Sequence, residues 1–145
     1  MSSAMIAQAR RKNLYGSLHQ SDLVDYMGSY PRSFDLIVSA ATLIHFGDLD
    51  PVLSVAAKTL RPDGFFVFTL FSYDAVESQS YAIHPHSSLM EAGCFAHGTK
   101  YIAEAAGRTG FRVLDVNTGI HDESGIDEIE GLIVTLALNQ HTSAE

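Results

Sequence analysis

The sequence predicts an α/β domain built on a parallel, helix-covered sheet. Two apolar runs and the helix between them predict it. Residues 34–40 (FDLIVSA) are nearly all apolar, interrupted by Asp35 and closed by Ser39. A run of that length, rich in Ile, Val and Phe, suits a strand buried on both faces. Asp50-Pro51 then opens a helix, with Asp50 as N-cap and Pro51 at the first helical position. Val52, Leu53, Val55, Ala56 and Leu60 form its apolar stripe. Arg61-Pro62-Asp63-Gly64 stops that helix, and residues 64–71 (GFFVFTLF) read as a second fully buried strand. A parallel pair of strands needs such a crossover, which should be right-handed. Sheets of this kind bind ligands outside the carboxyl ends of their strands, so the functional edge falls at residues 39–48 and 72–81.

The totals fit a single domain over residues 1–145, with 46% hydrophobic and 18% charged residues. The net charge of -8 and pI of about 5.2 argue against nonspecific binding to nucleic acid or an anionic membrane. Arg10-Arg11-Lys12 is the only basic run and reads as a solvated helix face. The single Cys94 cannot close an internal disulfide, which fits a reducing cytoplasm, and it reads as a small, partly buried residue. No apolar stretch reaches the ~20 residues of a membrane span, and the first residues carry no apolar segment of signal-peptide type.

The remaining elements follow in order. Residues 1–12 read as a helix, capped by Ser2 or Ser3, with Met5, Ile6 and Ala9 on its apolar side. Residues 14–20 are a weak strand candidate, and residues 22–30 a short helix or turn ending near Gly28 and Pro31. Residues 72–98 form a long connection, and long connections in compact domains tend to be functional. Its Tyr73, Tyr81, His84, His86, Phe95 and His97 are candidates for touching a substrate. His84 and His86 invite a metal reading, but no third ligand stands at a suitable spacing, so no metal is expected. Residues 99–109 form a helix, with Thr99 as cap, Ile102, Ala105 and Ala106 inside, and Gly110 as the stop. Residues 111–116 alternate as a half-buried strand does. Residues 117–130 read as an acidic loop, 132–138 as the last strand and 139–145 as a frayed polar tail.

Taken in order, FDLIVSA, GDL…VL, LRPDGFFVF, FAHG..YI and the closing strand resemble the class I S-adenosylmethionine-dependent methyltransferases, in particular a bacterial subgroup often fused to tetratricopeptide repeats. The resemblance covers about residues 1–138. It implies a Rossmann-like sheet with helices on both faces, in the strand order 3-2-1-4-5-7-6. Residues 16–20 would be strand three, 34–40 strand four, 64–71 strand five, 111–116 strand six and 132–138 strand seven. It also implies S-adenosylmethionine as cofactor, with Asp22 accepting from the adenine amino group and Leu23 packing on the ring. Ser39, Ala40 and Ala41 would pass under its methionine part, with Thr42 and His45 facing the transfer site. His45 or His97 would be the base if one is needed. Without the resemblance, Asp22 reads as a helix N-cap and His45 as a core or surface histidine.

One departure stands out. The family's glycine-rich turn after strand one has no counterpart, since neither G-x-G-x-G nor G-x-G-x-x-G occurs in the sequence. Strands one and two are therefore expected to be missing from this chain, which would leave strand four as an apolar edge without Pro or Lys. Another backbone is expected to cover it: strand three of the same chain, or a second chain in a symmetric homodimer through the 34–40 edge. The expected activity is methyl transfer to a small molecule. The alternative is a non-catalytic remnant serving as a dimerisation or partner-binding module.

Overall fold

The computed structural model describes residues 3–72, 80–124 and 127–139. The strand–helix–strand order of the central unit forms as predicted, but the second strand starts at Leu60 rather than Gly64, so Leu60 to Asp63 belong to it and not to the helix and its stop. Strand β1 (Phe34–Ser39) pairs in parallel with β2 (Leu60–Phe71), joined through helix α3 (Asp50–Thr59). β2 also pairs antiparallel with β6 (Asp127–Leu138), which pairs antiparallel with β5 (Phe111–Ser124). β1 lies along residues 60–68 of β2, and β4 (Phe95–His97) takes over beyond it, pairing Ala96 with Phe71. The departure of the chain from the sheet after Ser39 makes room for β4. A short β3 (Tyr81–Ile83) flanks β4.

The main core lies on one face of this sheet. Phe66, Phe68 and Leu70 of β2 alternate onto it, with Leu132, Val134 and Leu136 of β6. Val52, Leu53 and Ala56 of α3 cover them, together with Ile102, Ala105 and Ala106 of α5 (Thr99–Arg108). Helix α2 (Leu23–Gly28) adds Met27. Arg108 at the end of α5 forms a two-pronged ion pair with Asp50 at the start of α3, at 3.0 and 2.9 Å. Among the described residues, the second face is covered only at one end. There Leu89 of α4 (Ser87–Glu91) clusters with Phe71, Cys94, Ala96 and Ile129. Over the rest of that face Leu36 (52% exposed) and Val38 (65%) stand open beside Phe65 and Ile133.

Five further expectations need correction. Residues 16–20 form no strand, because no neighbouring strand lies there to supply hydrogen bonds, and Leu14 and Tyr15 before them are exposed. Strand three therefore does not close the gap beside β1. β1 itself is buried on one face rather than two. Residues 80–98 of the expected long loop are ordered into β3, α4 and β4. The expected acidic loop is an extension of the β5–β6 hairpin, with backbone pairing out to Ser124 and Asp127. The helix caps also shift: Leu49 precedes α3 and Gly98 precedes α5, so neither Asp50 nor Thr99 is the N-cap. Helix α1 (Ser3–Lys12) forms with no buried residue. Ser2, Tyr73, residues 140–145 and the side chains of residues 122–128 lie outside the described part.

Candidate functional site

The carboxyl ends of β1 and β2 meet where Ser39 pairs with Phe68. The chain then turns sharply. Ala41 adopts φ 52, a left-handed conformation that costs a residue with a Cβ about 1–2 kcal/mol. Its N–H donates to Oγ1 of Thr69 on β2 at 2.9 Å. Thr42 donates from its hydroxyl to the Ala40 carbonyl at 3.3 Å. Ala40, Ala41 and Thr42 are exposed, and the turn is anchored beyond by Leu43 and Ile44, which are buried in a short 3-10 helix, Leu43–His45.

The segment that follows is held by aromatic groups. Tyr101 of α5 accepts from Leu49 N–H at 2.8 Å and donates to Asp48 Oδ1 at 3.1 Å. Burial, with Asp48 and Asp50 nearby, pushes its phenol up to about 12, so the neutral donor is the resident form. His97 is fully buried at the end of β4, and its Nε2 donates to the Gly47 carbonyl at 3.0 Å. That bond fixes the tautomer, and the bare Nδ1 is buried without a hydrogen-bond partner. Tyr81 pairs with His97 in register and packs on Tyr101 with centroids 5.5 Å apart. Gly47 is required at this crossing, since a Cβ there would stand 2.6 Å from the Tyr81 ring.

Burial outweighs the Gly47 and Phe46 carbonyls and lowers the His97 pKa. The folded state therefore favours the neutral ring, and the unfolded chain binds the proton more readily. The stability this contributes is fully present above the unfolded value of about 6.5 and is lost as pH falls from there through the lowered folded value. Thermal melts between pH 8 and pH 5 should show a steeper acid-side drop for the natural chain than for His97→Gln. Equal slopes would mean that His97 is not held neutral.

The expected site residues divide into two groups. Ser39, Ala40, Ala41, Thr42 and His45 form one continuous segment, and His97 reaches it through Gly47. His45 is exposed, whereas His97 is sealed from solvent. Asp22 sits apart, at the start of α2. Its Oδ1 accepts from Val24 and Asp25 N–H at 2.9 and 3.2 Å, as a helix cap does. Leu23 packs against the main core. Cys94 Sγ lies 3.9 Å from His45 Nδ1, but burial raises its pKa and keeps it a thiol. His86 N–H donates to His84 Nδ1 at 3.2 Å, and no metal-holding group occurs among the described residues. Sequence reasoning missed Thr69, Tyr101 and His121. Thr69 alone left a signal, as the one polar side chain in residues 64–71. An open groove of about 1190 Å³, lined by Arg32, Lys58, Pro62, Arg108 and Asn139, lies at the opposite end of the sheet. It is not where parallel strands present their carboxyl ends.

The methyltransferase domain family matches residues 1–68. The mouse (Mus musculus) mitochondrial protein named arginine-hydroxylase NDUFAF5 is 28% identical over 99 residues, 65% of this chain and 29% of that protein. The chain thus spans less than a third of the length of this curated relative. Among solved structures, an S-adenosylmethionine-dependent methyltransferase from Listeria monocytogenes superposes with a TM-score of 0.72 at 14% identity, over 96% of this chain and 78% of that one. The N-methyltransferase NodS from Bradyrhizobium japonicum, solved with S-adenosyl-L-homocysteine, gives 0.63 at 18% identity, over 97% and 64%. At such identities the likeness is one of fold, the Rossmann-like sheet of class I methyltransferases. The match over residues 1–68 supports the methyltransferase part of the resemblance drawn from the motifs.

Proposed function

We propose that this chain is part of an S-adenosylmethionine-dependent methyltransferase domain that acts on a small-molecule acceptor. The observation that carries the reading is the exposed 40–42 turn at the carboxyl end of β1, inside the matched residues 1–68. The match favours the transferase over a non-catalytic remnant. The residues present fit two parts of the cofactor. Ala40 and Ala41 have side chains small enough for the methionine part to lie against the backbone. Asp22 uses only Oδ1 as a cap, which leaves Oδ2 for the adenine amino group. The glycine-rich turn for the middle of the cofactor has no counterpart in the sequence.

S-adenosylmethionine supplies the activated methyl group, and the protein's task is placement in line with the acceptor. Ser39 to Thr42 orient the methionine end. His45, exposed just beyond Thr42, is the base where the acceptor must lose a proton. His97, buried behind Gly47, is reassigned from base to support of that backbone. The open edge of β1, flanked by exposed Leu36 and Val38, is read as paired with the same strand of a second copy. The lone thiol and acidic charge fit a cytoplasmic setting.

One experiment tests both parts: calorimetric titration with S-adenosylhomocysteine, with mass measured by light scattering. Binding on the order of micromolar strength is expected, from a dimer. Asp22→Ser keeps a capping oxygen but removes the carboxylate, and should weaken binding roughly tenfold. A folded chain that binds nothing would sink the transferase reading. A monomer at the same concentrations would sink the edge pairing.

A further inference from the structure

We propose that Thr69 and His121 are positioning residues that hold the 40–42 turn in its ligand-binding shape. The inference rests on the methyltransferase reading and names two residues that the motifs do not. Ala41 is left-handed at φ 52, a conformation that persists only where surroundings impose it. What imposes it is a relay across three strands. Ala41 N–H donates to Thr69 Oγ1 at 2.9 Å, and the same oxygen shares a hydrogen bond with His121 Nε2 at 2.9 Å.

The relay is built in, since three further features serve it. His121 belongs to β5 and must reach over β6 to meet Thr69 on β2. It does so at a register shift between Ile120 and Asp122, which frees its side chain from the regular alternation. It passes over Gly131 of β6, where a Cβ would overlap the His121 Cβ. Its ring then rests on Phe71, with centroids 4.5 Å apart. A bulge, a glycine and an aromatic wall thus converge to deliver one imidazole to one hydroxyl. Thr69 is half-buried at the carboxyl end of β2, where the ligand edge lies. With the Ala41 N–H spent on Thr69, the turn presents its remaining backbone and its small side chains outward.

The test uses the full chain and two readouts, amide hydrogen exchange at Ala41 and S-adenosylhomocysteine affinity by calorimetry. Thr69→Val keeps the shape but removes the acceptor. Exchange at Ala41 should speed up at least tenfold and the dissociation constant should rise about tenfold, while Thr69→Ser should restore both. His121→Ala should move both in the same direction by a smaller factor, and serves if Thr69→Val does not fold. Unchanged exchange in Thr69→Val would overturn the relay. Faster exchange with unchanged affinity would overturn the positioning role, leaving a structural bond only. A natural chain with a protected Ala41 amide and no binding would overturn the transferase reading, and the ligand part of this proposal with it.

Discussion

Phe68→Ala is expected to destabilise the fold by about 3–5 kcal/mol, the cost of deleting a fully buried aromatic ring and leaving a cavity. Phe68 is central in every direction. It pairs with Ser39 on β1 and Val134 on β6, and its ring lies 4.8 Å from that of Phe66 within the main core. Against a total of about 5–15 kcal/mol for a domain, such a loss is a large fraction. Urea denaturation should show the midpoint falling at unchanged slope. Val38→Ala is the matched control, one register position from Phe68 on the partner strand but pointing to the open face. It should change stability by no more than about 0.5 kcal/mol in the monomer. A core-sized loss at Val38 would mean that the face is covered in solution.

Gly131→Ala should cost about 1–3 kcal/mol, an overpacking penalty rather than a lost contact. The added methyl would overlap His121 Cβ and stand 2.9 Å from the Leu70 carbonyl oxygen. Neither is the free end of a flexible side chain, so β5 or β2 must move. The pair His121→Gly and Gly131→Ala separates steric conflict from loss of strand propensity. If the conflict is with His121, the double variant should be less destabilised than the two single changes summed, by about 0.5–2 kcal/mol. Additive losses would mean that the Leu70 backbone, not the histidine, excludes a side chain there.

The two contacts differ in how far local sequence pattern reveals them. Phe66, Phe68 and Leu70 could be read as core from the run that holds them, because a buried strand announces itself by composition. The end of β1 at Ser39 could be read from the close of its apolar run, because the end of a strand is a local property. Residues 16–20 could not be read correctly, because a strand exists only beside a partner. The acidic run misled in the reverse direction. Its charges suggested a loop, yet each residue from Asn117 to Ile120 lies opposite a β6 partner in an antiparallel ladder, which depends on β6 and not on the local charge pattern.

The sequence alone therefore determined the helix–strand order of the central unit and the α/β class, since each follows from local pattern. Only the tertiary structure decided which face of β1 is open, that His97 is buried while His45 is exposed, and that Thr69 is hydrogen-bonded to both Ala41 and His121. His121 and Thr69 are 52 residues apart in the chain. Their meeting depends on strand register, a bulge and a missing side chain at Gly131, and no local pattern encodes the product of the three.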